Sequence, residues 1–455
     1  MALLLAPDMS QTKKILVIGA GRSSSNLIQY LLEHAAHEGW QVRVGDVDLH
    51  NAQQKIAGFE AYGEAFVLDG QNHEQRRTEI AQADLVISML PAFMHMAVAK
   101  DCLEFGKNVI TPSYIPDEMW ALDEEAKAKG IVLLNEMGVD PGIDHMSAME
   151  IIHRLMAEGA ELESFESFTG GLVAPESDNN PWNYKITWNP RNVVLAGYGG
   201  TARYQESGSM KYIPYNRLFK EITPVEIDGY GQFDGYANRD SLKYMKIYGL
   251  EQIPTLYRGT LRRGGYCKAW DALISLGLTD DSFEIAHPER LTWRQLTMSF
   301  LPSGGFGSLE QQLFRFCDDD VVYQKLIWLG LLEEIPLGLD KGTPAMMLQK
   351  RIETLWVLGP EDKDMIVMWH RFRFKKAGVR QEICSSLITL GDDPVYTGMS
   401  KTVGLPIAIA AKKILRGELQ LSGVTLPVNP QIYVPILEEL RTFGIEFKEQ
   451  HSILS

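Results

Sequence analysis

The sequence predicts an α/β protein whose residues 1–139 form a doubly wound parallel sheet. Three observations predict it. Short apolar runs alternate with stretches whose apolar residues recur at helical spacing. The first run leads at once into a glycine-containing turn and then a helical stretch. The second ends on an acidic residue.

Residues 14–18 (KILVI) are the first expected strand, Gly19-Ala20-Gly21-Arg22-Ser23-Ser24 the turn, and residues 26–32 the start of a helix. That order is the setting a Rossmann-type dinucleotide fingerprint requires. Gly19 permits the tight turn and Gly21 a close approach of backbone to a pyrophosphate. The helix start, with Ser23, adds free N–H groups and a positive dipole end. Ser24 stands where the fingerprint has its third glycine. Arg22 can meet a phosphate, meet a pyrophosphate, or fold over an adenine.

The second strand, residues 41–44, runs into Gly45 and Asp46. A carboxylate there accepts hydrogen bonds from a ribose diol and repels a 2′-phosphate, which favours NAD over NADP while leaving NADP possible. Asp46 can also be a turn former, since Asp48 and Asn51 follow. Residues 66–68 are a third strand ending at Asp69, beside the expected adenine. Further strands are read at residues 84–91, 108–111 and 131–135, with helices at 92–105 and 117–129. Ligands of such sheets sit at the carboxyl ends of the strands. That rim carries Leu90, Pro91, Ser113, Tyr114, Val139 and Asp140 together with the Gly19–Arg22 turn. Met89, Leu90, Pro91, Thr111 and Val139 are the expected further cofactor contacts.

Composition bounds the rest. At 455 residues the chain is long enough for two or three domains. A formal net charge of −15 argues against a nucleic-acid-binding face or an anionic membrane surface. Cys102, Cys267, Cys317 and Cys384 lie far apart, without metal-ligand spacing, so neither a metal site nor a disulfide framework is expected. Residues 2–6 are apolar but lack a basic flank, and read as a loose extension rather than a signal peptide. No apolar run reaches membrane-spanning length. The expectation is a cytoplasmic protein.

The rim is also where a family becomes recognisable. Ser88-Met89-Leu90-Pro91, Thr111-Pro112-Ser113-Tyr114 and the run Asn135 to His145 (NEMGVDPGIDH) resemble, in order, segments of the saccharopine reductase family. So do Gly170 to Glu176 (GGLVAPE) with Asn180 and Pro181, Asn238 to Ser241 (NRDS), and Arg258 to Arg262 (RGTLR). Residues 401–406 (KTVGLP) and 423–428 (GVTLPV) are similar to its C-terminal segment. The likeness runs from residue 14 to 448 and is least distinctive in the middle.

The resemblance implies a second α/β substrate-binding domain with a helical insertion. Residues 1–139 and 396–455 would form the dinucleotide domain, 140–279 and 364–395 the substrate domain, and 280–363 the insertion. The residues are compatible with this. Helices are read at 293–300, 308–315, 345–355 and 405–415, a hairpin at 365–374 and 379–390, and a last helix with Pro435 early in it and Gly444 after it. The family's GG motif is usually preceded by cysteine; Thr169 stands here, which puts an essential thiol in doubt.

The resemblance further implies saccharopine as substrate, two amino acids joined through a secondary amine, and a homodimer. Ser113, Tyr114, Asp140, Arg239, Thr260, Leu261 and Arg262 match substrate-contacting positions. Arg239 and Arg262 would clamp carboxylates, Asp140 would take an ammonium, and Ser113 and Thr260 would donate hydrogen bonds. The implied reaction passes hydride from the lysine-derived carbon to NAD. Water then adds to the imine, and L-glutamate and α-aminoadipate semialdehyde form, consistent with lysine breakdown. No side chain is required as a strong base; Asp140, His145 and Tyr114 are the candidates, and His145 also fits a helix-start histidine satisfied by backbone. Two other readings compete: a carboxynorspermidine-type polyamine dehydrogenase, and a non-catalytic NAD-sensing protein. The RGTLR and GGLVAPE stretches weigh against both.

Overall fold

Residues 12–198 and 200–454 are described by a computed structural model, so the apolar run at residues 2–6 lies outside the described residues. The chain divides into two compact units, Met1–Ala157 with Val395–Phe447, and Glu158–Pro394 with Lys448–Ser455.

The first unit is built on β1 (Lys13–Ile18), β2 (Trp40–Asp46), β3 (Gly63–Val67), β4 (Leu85–Ser88), β5 (Asn108–Ile110) and β6 (Val132–Leu134). A seventh strand, Gly423–Thr425, joins beside β6, and the order across the sheet is Gly423–Thr425, β6, β5, β4, β1, β2, β3, all parallel. Ile15 to Ile18 and Leu85 to Ile87 are buried on both faces. Helices cover a parallel sheet on both sides, which is why these strands read as unbroken apolar runs. Helix α1 (Ser25–Glu38) buries Leu27, Ile28, Leu31 and Leu32 and stops on Gly39, whose φ of 66° and N–H to the Ala35 carbonyl form a left-handed cap.

The helix Gly398–Leu415 lies against α1, and a Cβ on Gly404 would stand 2.7 Å from the Leu27 nitrogen, so close approach here requires glycine. The last helix is Pro430–Thr442. Its start is set by Pro430 behind the Asn429 cap, so Pro435, expected near the beginning, lies inside it. Among the described residues no helix is long and apolar enough to cross a membrane, and the four cysteines are free thiols.

The second unit holds a nine-stranded mixed sheet. Its main path runs Thr223–Ile227, Gly231–Ala237, Thr255–Arg263, Glu161–Val173, Asp364–Lys376, Val379–Leu390, Lys448–Ile453, with Ala202–Glu206 and Ser209–Ile213 attached at the side. Glu161–Val173 pairs in parallel with Thr255–Arg263 and antiparallel with Asp364–Lys376. The helices Trp293–Phe300, Leu309–Cys317, Asp320–Trp328 and Pro344–Leu355 share one apolar core with this sheet, which joins Trp293, Leu313, Leu326 and Leu348 to Leu172 and Leu261 of the strands and includes Trp270 of the helix Tyr266–Leu276.

Two expected boundaries differ. Residues 143–157 form a helix that packs with the first unit, not the second. Residues 448–453, expected in the dinucleotide domain, pair with Val379–Leu390 instead. That strand (KEQHSI) is exposed along its whole length and carries no alternation to announce it.

Candidate active site

The glycine turn sits between β1 and α1. Gly19 has φ +105°, and a Cβ there would lie 3.0 Å from the Met89 carbonyl oxygen, so both conformation and space require glycine. Gly21 differs: its φ is −67°, and a Cβ would meet nothing within 4 Å. Among the described residues no atom fills that space. Arg22, exposed, and the half-buried Ser23 follow in a short 3₁₀ turn. Ser24 is buried; its hydroxyl donates to the Gly21 carbonyl at 2.8 Å and closes the turn, so it acts as a brace where the fingerprint has a third glycine.

Asp46, at the end of β2, accepts from the Ala20 N–H at 2.7 Å and through its other oxygen from the Asp48 N–H at 2.9 Å. It is half-buried, so the carboxylate both fixes the glycine turn and borders solvent. Asp69 is exposed and accepts from the Gln71 N–H at 2.9 Å, an ordinary turn.

Met89, Leu90 and Pro91 leave the end of β4, with Met89 packed under Gly19. Thr111, expected at the cofactor, is buried, and its hydroxyl lies 3.0 Å from Nε2 of His95. The same Nε2 is 2.7 Å from the Ser113 hydroxyl, and Nδ1 is 2.9 Å from that of Ser88. Burial holds the His95 ring neutral, pushing its pKa down to about 4. The sequence reading missed His95. Its only signal is a histidine seven residues beyond Ser88, in the first turn of a helix, and nothing in the pattern reveals its burial.

The loops after β5 and β6 meet through Tyr114, which donates to Oδ1 of Asp140 at 2.6 Å. Val139 beside it is buried. Behind them the NEMGVDPGIDH run is tightly folded. A Cβ on Gly142, at φ +147°, would stand 2.0 Å from the Gly138 oxygen. Glu136 is fully buried at φ +57°, a region costly for a residue with a side chain. Its carboxylate accepts from the Ile115 N–H at 2.8 Å and lies 2.7 Å from Nε2 of His145. His145 has no exposed surface, so it ties Glu136 and Asp144 into the core and is not placed as a general base.

In the second unit, Thr260 and Arg262 share one face of the strand Thr255–Arg263. Arg262 is 3% exposed. Its guanidinium lies over three tyrosine rings, 5.1 Å from Tyr184, 5.4 Å from Tyr266 and 5.7 Å from Tyr236. Nη1 donates to the Leu261 carbonyl at 2.9 Å, and among the described residues Nε has no hydrogen-bond partner and no carboxylate pairs with the guanidinium. A buried guanidinium in this state retains donors for an anion. Leu261, expected to touch substrate, is fully buried on the opposite face; only its carbonyl serves the arrangement.

Thr260 donates to Oδ1 of Asn238 at 2.8 Å. Thr169, its register neighbour, is buried with an unpartnered hydroxyl. Arg239 is exposed and makes one long bond, 3.5 Å, to the Leu195 carbonyl. The two expected arginine clamps are therefore unlike: one is built into an aromatic box, the other is solvent-facing.

The chain is similar to known proteins along most of its length. A family model for the saccharopine dehydrogenase NADP binding domain matches residues 15–134, and one for the saccharopine dehydrogenase C-terminal domain matches residues 138–445. The mitochondrial alpha-aminoadipic semialdehyde synthase of Rattus norvegicus is 35% identical over 98% of the chain, which spans 48% of that protein's length. The saccharopine dehydrogenase [NADP(+), L-glutamate-forming] of Schizosaccharomyces pombe is 31% identical, with 96% of the chain and 98% of the relative aligned. The apo structure of the L-Glu-forming saccharopine dehydrogenase of Saccharomyces cerevisiae superposes with a TM-score of 0.86 at 30% identity, covering 97% of this chain and all of that one.

Proposed function

The chain belongs to the saccharopine dehydrogenase family, and from that premise we propose that it oxidises saccharopine, with a nicotinamide dinucleotide and water, to L-glutamate and α-aminoadipate semialdehyde. The observation that carries this reading is Arg262: a buried cation boxed by Tyr184, Tyr236 and Tyr266, with unfilled donor capacity. A substrate with three carboxylates supplies what it lacks. A polyamine, with fewer carboxylates, does so less well.

In this reading the Gly19 to Ser24 turn holds a pyrophosphate, and the open space at Gly21 supports the fit. Bound there, the dinucleotide supplies the hydride acceptor. Asp46 would take the adenosine ribose; we read it as favouring NAD, because a carboxylate repels a 2′-phosphate. The fungal relatives' names specify NADP(+), so this is the finest-grained element of the proposal.

For the chemistry on the substrate, the secondary amine itself carries the electron pair that drives hydride departure and later accepts a proton as the carbinolamine collapses. The side chains therefore orient, and none need be a strong base. Arg262 fixes a carboxylate, Arg239 and Thr260 assist in their own unit, and Ser113, Tyr114 and Asp140 bind through hydrogen bonds and charge.

The test is formation of reduced dinucleotide at alkaline pH with saccharopine, NAD and NADP being run side by side, with Arg262→Met as control. Turnover strongly reduced in the variant is expected. Inactivity of the wild type with both dinucleotides overturns the reading.

A further inference from the structure

Thr169 carries a hydroxyl that nothing around it engages. The residue is 7% exposed, and among the described residues its Oγ1 has no hydrogen-bond partner. A buried hydroxyl in that state costs stability, which a ligand acceptor would recover. On one side its register neighbour is Met368, fully buried, whose thioether is a weak acceptor. On the other side it is Thr260. Residues directly opposite in a ladder share a face, and so do residues two apart on a strand. Thr169, Thr260 and Arg262 therefore stand on one face of the sheet.

The Thr260 hydrogen is taken by Oδ1 of Asn238 at 2.8 Å, whereas that of Thr169 has no acceptor among the described residues. Because the two strands run parallel, Gly171 follows Thr169 in the direction in which Arg262 follows Thr260. The strand Glu161–Val173 thus adds no side chain to the face beyond Thr169 until Val173. Gly171 and Thr260 are both partly exposed, so a ligand can reach this row. Asp234, opposite Arg262 on the next strand, is engaged by the Gly265 N–H at 3.0 Å. Ser385 and Thr389 also have buried hydroxyls without partners, but they lie on Val379–Leu390, with two strands between them and the one that bears Arg262. Thr169 alone of the three stands beside that strand.

We propose that Thr169 is a further substrate-binding residue, its hydroxyl donating to the carboxylate that Arg262 fixes. A donor hydrogen on the face of a guanidinium that lacks an anion selects a carboxylate and disfavours an ammonium. The family's usual cysteine would offer only a weak S–H donor here, so threonine strengthens the hold. The inference rests on the saccharopine reading for what bears the carboxylate.

Thr169→Val keeps the shape of the side chain and removes the hydroxyl. It should raise the KM for saccharopine about 10- to 100-fold while kcat and dinucleotide affinity, read by fluorescence, stay within about threefold. The ligand-free variant should melt at the wild-type temperature or above it, because the hydroxyl lost bonds nothing. Thr169→Ser should stay within about threefold of the wild-type KM, and Thr169→Cys should fall between Thr169→Ser and Thr169→Val.

An unchanged KM in Thr169→Val overturns the proposal. So does a Thr169→Val that melts several degrees lower, which would make the hydroxyl structural, or a Thr169→Ser that loses as much as Thr169→Val. If Thr169→Val does not fold, Thr169→Ser and Thr169→Cys give the same comparison. Thermal stabilisation by glutarate, a bare dicarboxylate, separates this proposal from the function reading. A wild type inert toward saccharopine, yet stabilised by glutarate more than Thr169→Val is, sinks that reading alone. Equal stabilisation of the two proteins sinks the role of Thr169.

Discussion

Tyr114 donates its phenolic hydrogen to Oδ1 of Asp140 at 2.6 Å, tying the loop after β5 to the loop after β6 across 26 residues of sequence. An O–H to carboxylate bond of this length is charge-assisted and strong. It fixes the carboxylate that the proposed function gives to a substrate ammonium. Asp140→Asn should therefore lower kcat/KM for saccharopine about 10- to 100-fold. Tyr114→Phe, which loosens the carboxylate without removing its charge, should cost less than Asp140→Asn. Dinucleotide affinity should change in neither. Equal losses in both variants would mean that Tyr114 touches substrate directly.

Arg262 separates binding from stability. Its guanidinium is 3% exposed and has no carboxylate partner among the described residues, so until an anion binds, its desolvation is offset only by the three tyrosine rings and the Leu261 carbonyl. Arg262→Met should leave the melting temperature unchanged or raise it, while raising the KM for saccharopine by about 100-fold or more. Wild type should also gain more thermal stability from added saccharopine than the variant does. A variant that melts several degrees lower would show that the cation supports the Tyr184–Tyr236–Tyr266 cluster by itself.

Cofactor choice is tested at Asp46. Because the carboxylate also accepts from the Ala20 and Asp48 N–H groups, removing it disturbs the glycine turn as well as the ribose contact. Asp46→Ser keeps an acceptor there. The ratio of kcat/KM with NADP to that with NAD should rise about 10-fold or more, chiefly through better use of NADP. No change in the ratio would confine Asp46 to bracing the turn.

His95 gives a pH dependence of stability whose sign follows from burial. Its folded pKa is lowered to about 4 from 6.5, so the unfolded chain binds the proton more readily between those values. The stabilisation is complete above pH 6.5 and is lost as pH falls toward 4, amounting to about 3 kcal/mol. Denaturant unfolding at a series of pH values should show wild type losing that much more than His95→Gln over the same window. Parallel curves would mean that the ring is protonated where it sits.

The parts legible in the sequence were those written in composition and spacing. The runs at residues 14–18, 84–91 and 108–111 announced a parallel sheet because burial on both faces favours consecutive apolar residues over alternation. Gly19 was legible because only glycine suits its backbone. The hairpin with arms at residues 365–374 and 379–390 was legible, and the structure extends its first strand to Lys376, leaving Ala377 and Gly378 as the turn. What stayed hidden depends on partners distant in sequence. His95 gains its role from Ser88, Thr111 and Ser113, which the strand ends bring around it. The difference between Arg262 and Arg239 is burial, which two similar motifs do not encode. Leu261 matched a substrate motif, yet strand alternation turns its side chain to the other face.

Gly19 and Gly21 carry different expectations in the fingerprint, and their surroundings in the structure differ too. A Cβ on Gly19 would meet the Met89 carbonyl oxygen at 3.0 Å, at a φ of +105° that side chains rarely adopt. A Cβ on Gly21 would meet nothing within 4 Å, at an ordinary φ. Gly19→Ala should therefore destabilise the fold by about 1–3 kcal/mol, lowering the melting temperature whether or not dinucleotide is present. Gly21→Ala should melt like wild type without ligand, yet bind dinucleotide about 10-fold or more weakly, because the methyl group fills space the pyrophosphate needs. Thermal unfolding with and without NAD tells the two apart. If Gly21→Ala binds NAD as tightly as wild type, the open space at that turn is not where the dinucleotide passes.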